Sequence, residues 1–468
     1  MSFYTSGIQT QLIDSVFHRD SFRTEFRFDA DKTYLTNMRL CGVGAVVSGA
    51  GLVSNYNALT GATGVIRQIS LLDGNETLCN VQNFNLYNGF KNFKRTNENS
   101  ANMNTFLSEN LMGYVWKGLD LGSELSQIVP VRNPLVNAEE AQVNIAGNGE
   151  LGWLSLKDCL PFLGASDIMP TSLFRHLRLV VEYSQDPADY ARRVYTGAAG
   201  TPVVVEPFLV ADVMMNSDTA NKLMMNYKGV VWNELEVDRV NVPAIEGVTE
   251  VNTSPVQETQ LLVNGFDNKR VSRMVMITEP TSPLSYRADS YLDPTFGVVA
   301  TNAAFGKMGS MFQKDMELQV RVNGGNLFPT PLKGGNRRLA LMVDTWGECL
   351  APLGNMDCPA SINNIGDGGT EMPEVLQRLG NTDYTGWNLG GTRVQELILQ
   401  YKRNGLYVDG GYISTPANPD AEPPVEQVIT PIPQNLNRFN QRVNLVLYGE
   451  VQKSLVPTGN GRYIISYV

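Results

Sequence analysis

Histidine is nearly missing from this sequence: His18 and His176 are the only two in 468 residues. That almost removes multi-histidine metal centres and leaves little for histidine-based acid–base catalysis. Charge is also scarce, at 18% of residues, and sums to −10. The broad basic face of a free-standing nucleic-acid binder is therefore not expected. The cysteines, Cys41, Cys79, Cys159, Cys349 and Cys358, are odd in number, scattered and never in C-x-x-C. A disulfide framework is disfavoured and a reducing compartment fits better. No apolar run reaches the ~18 residues of a spanning helix. The first ten residues lack the basic and apolar regions of a signal peptide. The expectation is a soluble chain made in the cytosol.

Glycine (43) and proline (24) supply turns, and hydrophobic residues at 43% suffice for full cores. Phe22, Thr24, Phe26 and Phe28 alternate with Arg23, Glu25 and Arg27. Met316, Leu318, Val320 and Val322 alternate with Glu317, Gln319 and Arg321. Such period-two patterns predict half-buried strands. Leu177 to Val181, Val203 to Val205, Val271 to Ile277, Leu339 to Val343, Val443 to Tyr448 and Tyr463 to Val468 are apolar on both faces. Short and partly β-branched, they predict core strands. Helical spacing is confined to Leu78 to Phe93 and to weaker patterns at Ala101 to Leu111, Ser217 to Tyr227 and Glu371 to Leu379. No βαβ alternation appears, which disfavours a parallel doubly wound sheet. Long connections run from Asn133 to Gly149, Gly347 to Pro373 and Ser414 to Gln434, the last proline-rich and expected to be extended rather than sheet.

Turn and polar residues between Val242 and Glu258 divide the chain into two halves of similar length. The predicted fold is all-β: an N-terminal arm over 1–20, then antiparallel sandwiches over 21–245 and 246–468, with a few short helices in the connections.

Motifs for catalysis fail in turn. There is no H-E-x-x-H and no G-x-S-x-G. Gly306-Lys307 is followed by Met308 and lacks the glycine spacing of a phosphate loop. His176, inside an apolar pattern, is expected to be a partly buried structural residue, and His18 to be solvated. Cys349 and Cys358 have no second pair of ligands for a tetrahedral site. Asn363 to Glu374 shadows a calcium loop, but Ile365 stands where an oxygen ligand belongs. Carboxylate neighbours such as Glu139 and Glu140, or Asp186 and Asp189, are ordinary loop acids. Tyr87 to Arg95 interleaves aromatics with bases, as nucleic-acid binders do. An amphipathic helix with its rings inward and lysines outward is the favoured reading. Asn75-Glu76-Thr77 and Asn252-Thr253-Ser254 match the glycosylation pattern by chance, given no leader. No catalytic residue, metal or cofactor is predicted.

Four segments, in order, carry a resemblance. They are Thr33-Tyr34-Leu35-Thr36-Asn37-Met38-Arg39-Leu40; Gly64 to Gly74 with the helix-like Leu78 to Phe93; Pro170 leading into His176 to Tyr183; and Arg442 to Tyr448 with Arg462 to Ile465. Together they resemble the double jelly-roll major capsid proteins of DNA viruses, especially polinton-like viruses and virophages. The likeness is strongest over residues 25–185. It implies two jelly rolls side by side and a homotrimer forming a pseudo-hexagonal capsomer. Such blocks tile an icosahedral shell around double-stranded DNA. Implied partners are neighbouring capsomers, penton proteins and minor or cement proteins, with the chain located in the virion. The acidic balance predicts no tight direct DNA binding. The arm, too apolar for a solvated tail, offers Phe3, Tyr4 and Phe17 as candidate inter-subunit contacts, with packing onto its own jelly roll the competing arrangement. The alternative function is a virion attachment sandwich binding glycans, with Trp116, Trp153, Trp232, Trp346 or Trp387 as a stacking platform.

Overall fold

The computed structural model describes residues 7–47 (except 21 and 44), 54–56, 65–94, 115–118, 128–131, 153–184, 194–196, 202–204, 206–280, 317–347 (except 334), 384–405, 412–415, 428–431, 440 and 442–468 (except 460 and 461). The first half contains β1 (Ile8–Ile13), β2 (Phe17–Arg19), β3 (Arg23–Arg27), β4 (Thr33–Leu35), β5 (Arg39–Cys41), β6 (Ile66–Asp73), β7 (Glu76–Gln82) and α1 (Phe84–Lys94). It continues with β8 (Trp153–Ser155), α2 (Pro161–Gly164), β9 (Ile168–Met169), β10 (Leu177–Tyr183), β11 (Phe208–Met214) and α3 (Ser217–Met225). After these come β12 (Val230–Val242), β13 (Val256–Leu262), β14 (Arg270–Pro280), β15 (Glu317–Val322), α4 (Gly335–Trp346), β16 (Tyr384–Arg393), β17 (Leu397–Asn404), β18 (Val443–Gly459) and β19 (Arg462–Tyr467).

Two sheets face each other in each half. In the first, β2-β3-β10-β6-β7 packs against β8-β5-β11-β4-β9, with β1 added along β11. Phe26, Ile69, Leu71, Leu179 and Val181 from one sheet meet Tyr34, Leu40, Leu209 and Val213 from the other in one core. The period-two pattern around β3 is realised: Thr24 and Phe26 are buried while Arg23 and Glu25 are half-exposed. In the second half, β12-β18-β14-β16 faces β13-β17-β15 across a core that includes Phe266, Leu399, Tyr401 and Trp387.

The central strands of the second half explain the runs that are apolar on both faces. Met274, Met276, Leu445 and Leu447 point into the second core. Their neighbours Val275, Ile277, Val446 and Tyr448 point the other way, into the core shared with the first half. A sheet buried on both sides needs no polar face, so the alternation disappears. The two jelly rolls are therefore joined by a continuous apolar seam.

Five expectations need correction. Tyr463 to Val468 is a strand but not a core one: among the described residues β19 pairs only with β18, and Ile464, Tyr467 and Val468 are more than half exposed. Leu339 to Val343 is not a strand but lies inside α4. Leu, Ala and Met are good helix formers, and over the longer window Arg338, Met342 and Trp346 recur every fourth residue and are buried. The helical spacing read from Leu78 is part strand: β7 runs to Gln82, Asn83 takes a positive φ of 47°, and the helix starts at Phe84. The ends of the proline-rich connection do form sheet, since Tyr412–Thr415 pairs antiparallel with Val428–Pro431. Finally, β12, placed by sequence at the end of the first sandwich, pairs over its whole length with β18 of the second. We propose that the division between the halves falls in the Asn226 to Gly229 turn rather than at residue 245. Ser217 to Met225 is helical as expected, with Asn216 capping it by accepting from the Thr219 N–H at 3.1 Å. Ala101 to Leu111, Glu371 to Leu379 and the connections 133–149 and 348–373 lie outside the described residues.

Candidate functional site

Among the described residues no group of three or more His, Cys, Asp or Glu side chains is placed to hold a metal. The two histidines exchange their expected roles. His176 is exposed just before β10, where its backbone N–H donates to Asp73 Oδ1 at 2.8 Å. His18 is half-buried, its Nδ1 2.8 Å from Thr24 Oγ1. Cys79 and Cys159 are buried, and burial pushes the Cys41 thiol up to about 11. Burial raises the Cys79 thiol as well, so neither Cys41 nor Cys79 has the low-pKa setting of a nucleophile. Cys349, Cys358, the 363–374 loop, Glu139, Glu140, Asp186 and Asp189 lie outside the described residues. A cavity of about 420 Å³ on the outer face of β13-β17-β15 is lined by Glu258, Gln260, Glu317, Gln319, Gln400 and Lys402. Its carboxylates are held by lysines, Glu258 by Lys402 at 3.1 Å and Glu317 by Lys333 at 2.6 Å.

The tryptophans do not make a sugar platform where their side chains are described. Trp232, Trp346 and Trp387 are all buried. Trp387 sits in the second core, and the other two sit in the seam. Phe162 of α2 meets Trp232 edge-on at 5.1 Å, and Phe90 of α1 meets Trp346 edge-on at 5.3 Å. Tyr87 lies 5.3 Å from Tyr448, and Phe174 lies 5.2 Å from Tyr463. The Phe162–Trp232, Phe90–Trp346 and Phe174–Tyr463 pairs are edge-to-face, an arrangement that adds stability beyond buried area. Tyr87 and Phe90, which a nucleic-acid reading would expose, are thus the buried face of an amphipathic helix.

Polar groups pin the same seam. Glu234, only 2% exposed, reaches across from β12. Its Oε1 accepts from the Asn80 backbone N–H at 2.7 Å, and its Oε2 from the Trp232 indole N–H at 2.6 Å. Tyr448 and Tyr463 donate to Asn83 O and Asp73 Oδ2, each at 2.9 Å. On β14, Arg273 forms a fork with Glu450 at 2.7 and 2.9 Å and lies 4.1 Å above the Trp346 ring.

Burial pushes the pKa of Glu234 up, while Lys453, the Asn80 and Trp232 N–H groups and the Cys79 thiol pull it back. The net direction is upward from the ordinary value of 4.5. The folded chain then holds this proton more tightly than the unfolded chain does. Its contribution is greatest at low pH and is lost as pH rises from about 4.5 through the raised value. Denaturant unfolding of wild type and Glu234→Gln across pH 4 to 8 should show the wild type losing ground against the variant as pH rises. A pH-independent difference would contradict the assignment.

The N-terminal residues are tied to their own jelly roll from residue 8 onward. β1 pairs with β11 and β2 with β3. Phe17 is on β2, 41% exposed, with the Arg23 guanidinium 5.6 Å above its ring. Leu12, Val16 and Phe22 are exposed around it. Phe3 and Tyr4 lie outside the described residues. The N-terminal apolar content was legible in the sequence. The role of β1 as an edge strand was not, because its partner is some two hundred residues away.

Among the described residues no helix is long and apolar enough to cross a membrane. No family model matches the sequence, and no curated protein matches it. Solved structures do. PBCV-1 VP54, as fitted into a cryo-EM reconstruction of the virophage Sputnik, is 9% identical, with 98% of this chain and 96% of that one covered and a TM-score of 0.50. The mavirus major capsid protein is 8% identical over 98% of this chain and 90% of that one, at a TM-score of 0.48. The Faustovirus major capsid protein is 8% identical over 97% and 90%, at 0.40. With two facing pairs of sheets in tandem and a match along almost its whole length, the chain has the all-β double jelly-roll fold of viral major capsid proteins.

Proposed function

We propose that this chain is the major structural protein of an icosahedral virion shell. Three copies form a pseudo-hexagonal capsomer, and capsomers tile around double-stranded DNA with help from penton and minor or cement proteins. The observation that carries this is the seam. Two jelly rolls share one apolar core, with aromatic pairs and the buried Glu234 carboxylate between them. They behave as one rigid block, which is what a tile needs. An acidic chain repels packaged DNA, so the genome is confined by the shell rather than coated by it. The N-terminal residues, including Phe17, contribute to contacts between copies.

Electron microscopy of the purified protein, with mass measured on the same sample, tests the reading. The expected result is a three-chain particle of near-hexagonal outline. A monomer or dimer that persists across concentration, and with virion components added, would sink self-tiling.

A further inference from the structure

β1 is the edge of its sheet. It pairs with β11 on one side, and among the described residues no strand pairs with the other. Gly7 O accepts from the Met215 N–H just beyond the strand end. In an antiparallel ladder the bonds alternate, so Gln9, Gln11 and Ile13 direct their backbone groups at β11. Ile8, Thr10 and Leu12 direct theirs outward.

An open edge is normally blunted by a charge, a proline or a bulge. β1, Ile-Gln-Thr-Gln-Leu-Ile, has no charge or proline, and its register with β11 is unbroken. Leu12 is 70% exposed on it. Other long strands also end their sheets, but each carries a charge: β7 begins with Glu76, β12 holds Glu234, Glu236 and Asp238, β13 holds Glu258 at its centre, β16 ends with Arg393 and β19 begins with Arg462.

The sequence of β1 also matches itself. Laid antiparallel on a second copy about a twofold axis through Thr10, Ile8 faces Leu12, Gln9 faces Gln11 and Thr10 faces Thr10. Aliphatic pairs, amide pairs and a threonine pair are all favourable cross-strand neighbours, and no like charges meet. The outward residues are the ones whose backbone groups meet no strand among the described residues, so the register satisfies both side chains and main chain. The Thr10 hydroxyl donates to Asp212 at 2.6 Å and Lys32 holds Gln11 Oε1 at 3.5 Å, which steadies the strand from its own side.

We propose that β1 is the docking edge for β1 of a second copy, the two first-half sheets becoming one continuous sheet across a twofold contact between capsomers. A self-complementary patch of this kind is what an isologous contact requires. The inference rests on the shell reading above.

Four variants test it alongside wild type. Thr10→Pro removes an outward N–H and leaves the β11 ladder intact. Thr10→Lys sets two ammonium groups face to face on the axis. Both should keep the three-chain block, lowering the melting temperature by no more than loss of the exposed Thr10–Asp212 hydrogen bond allows, and should need about tenfold more protein, or more, to form shells. Thr10→Cys under mild diamide oxidation should give a two-chain product. Leu12→Cys, facing Ile8, should not. If wild type forms shells while the proline and lysine variants assemble at the same concentration and Thr10→Cys gives no two-chain product, the edge proposal is wrong and the shell reading stands. If wild type never passes beyond a single chain, the shell reading fails and the proposal with it.

Discussion

Trp232→Ala is expected to lower the unfolding free energy by roughly 3–5 kcal/mol, the usual range for emptying a buried aromatic site. Trp232 is 3% exposed, packs edge-on against Phe162 across the seam and donates its indole N–H to Glu234. Two penalties coincide: a cavity opens, and a buried carboxylate oxygen loses its donor. Trp232→Phe separates them. It restores most of the ring volume and leaves Oε2 of Glu234 without its partner, so the remaining loss should be about 1–3 kcal/mol. Urea unfolding followed by fluorescence of the other tryptophans would read both. A loss below about 1 kcal/mol for the alanine variant would show that the halves are held by something other than this seam.

The second large effect falls at the turn into β12. Gly229 has φ of +110°, a conformation that side-chain-bearing residues rarely adopt. A Cβ built there would lie 2.2 Å from the carbonyl oxygen of Leu455 on β18. That obstacle is backbone within a long ladder, since Val230 pairs with Leu455 at the start of a register that continues to Val242. The chain cannot yield without breaking the pairing that attaches β12 to the second half. Gly229→Ala should therefore cost about 3 kcal/mol or more and lower soluble yield. Gly247→Ala is the control. Its φ is +75°, but nothing lies within 4 Å of its Cβ, so it should cost only about 1–2 kcal/mol. Equal effects at the two sites would mean that strain alone, and not the contact with β18, decides.

Particular elements show where sequence patterns suffice. β3, β10 and β15 were legible because one local rule, alternation or a short apolar run, matches one local cause. Even there Gln319 departs from the pattern: it belongs to the wet face by alternation, yet it is buried, its amide donating to Phe328 O at 2.8 Å. α4 was misread because five apolar residues look alike in a strand and a helix. Only contacts of Trp346 with Met274 O and Phe90 reveal which side is buried. Glu234 gave no signal at all, since an acid between Asn233 and Leu235 on a strand looks solvated until β7 and α2 close over it.

Composition, turn chemistry and period by themselves determined that this is a β protein of two halves with scarce catalytic means. Those properties depend on residues near one another along the chain. Tertiary structure alone decided which strand β12 pairs with, which face of β18 meets which core, and which strand was left at an edge. Each of these depends on pairing between segments hundreds of residues apart. There the free energy lies in the fit of whole surfaces, and no local pattern records it.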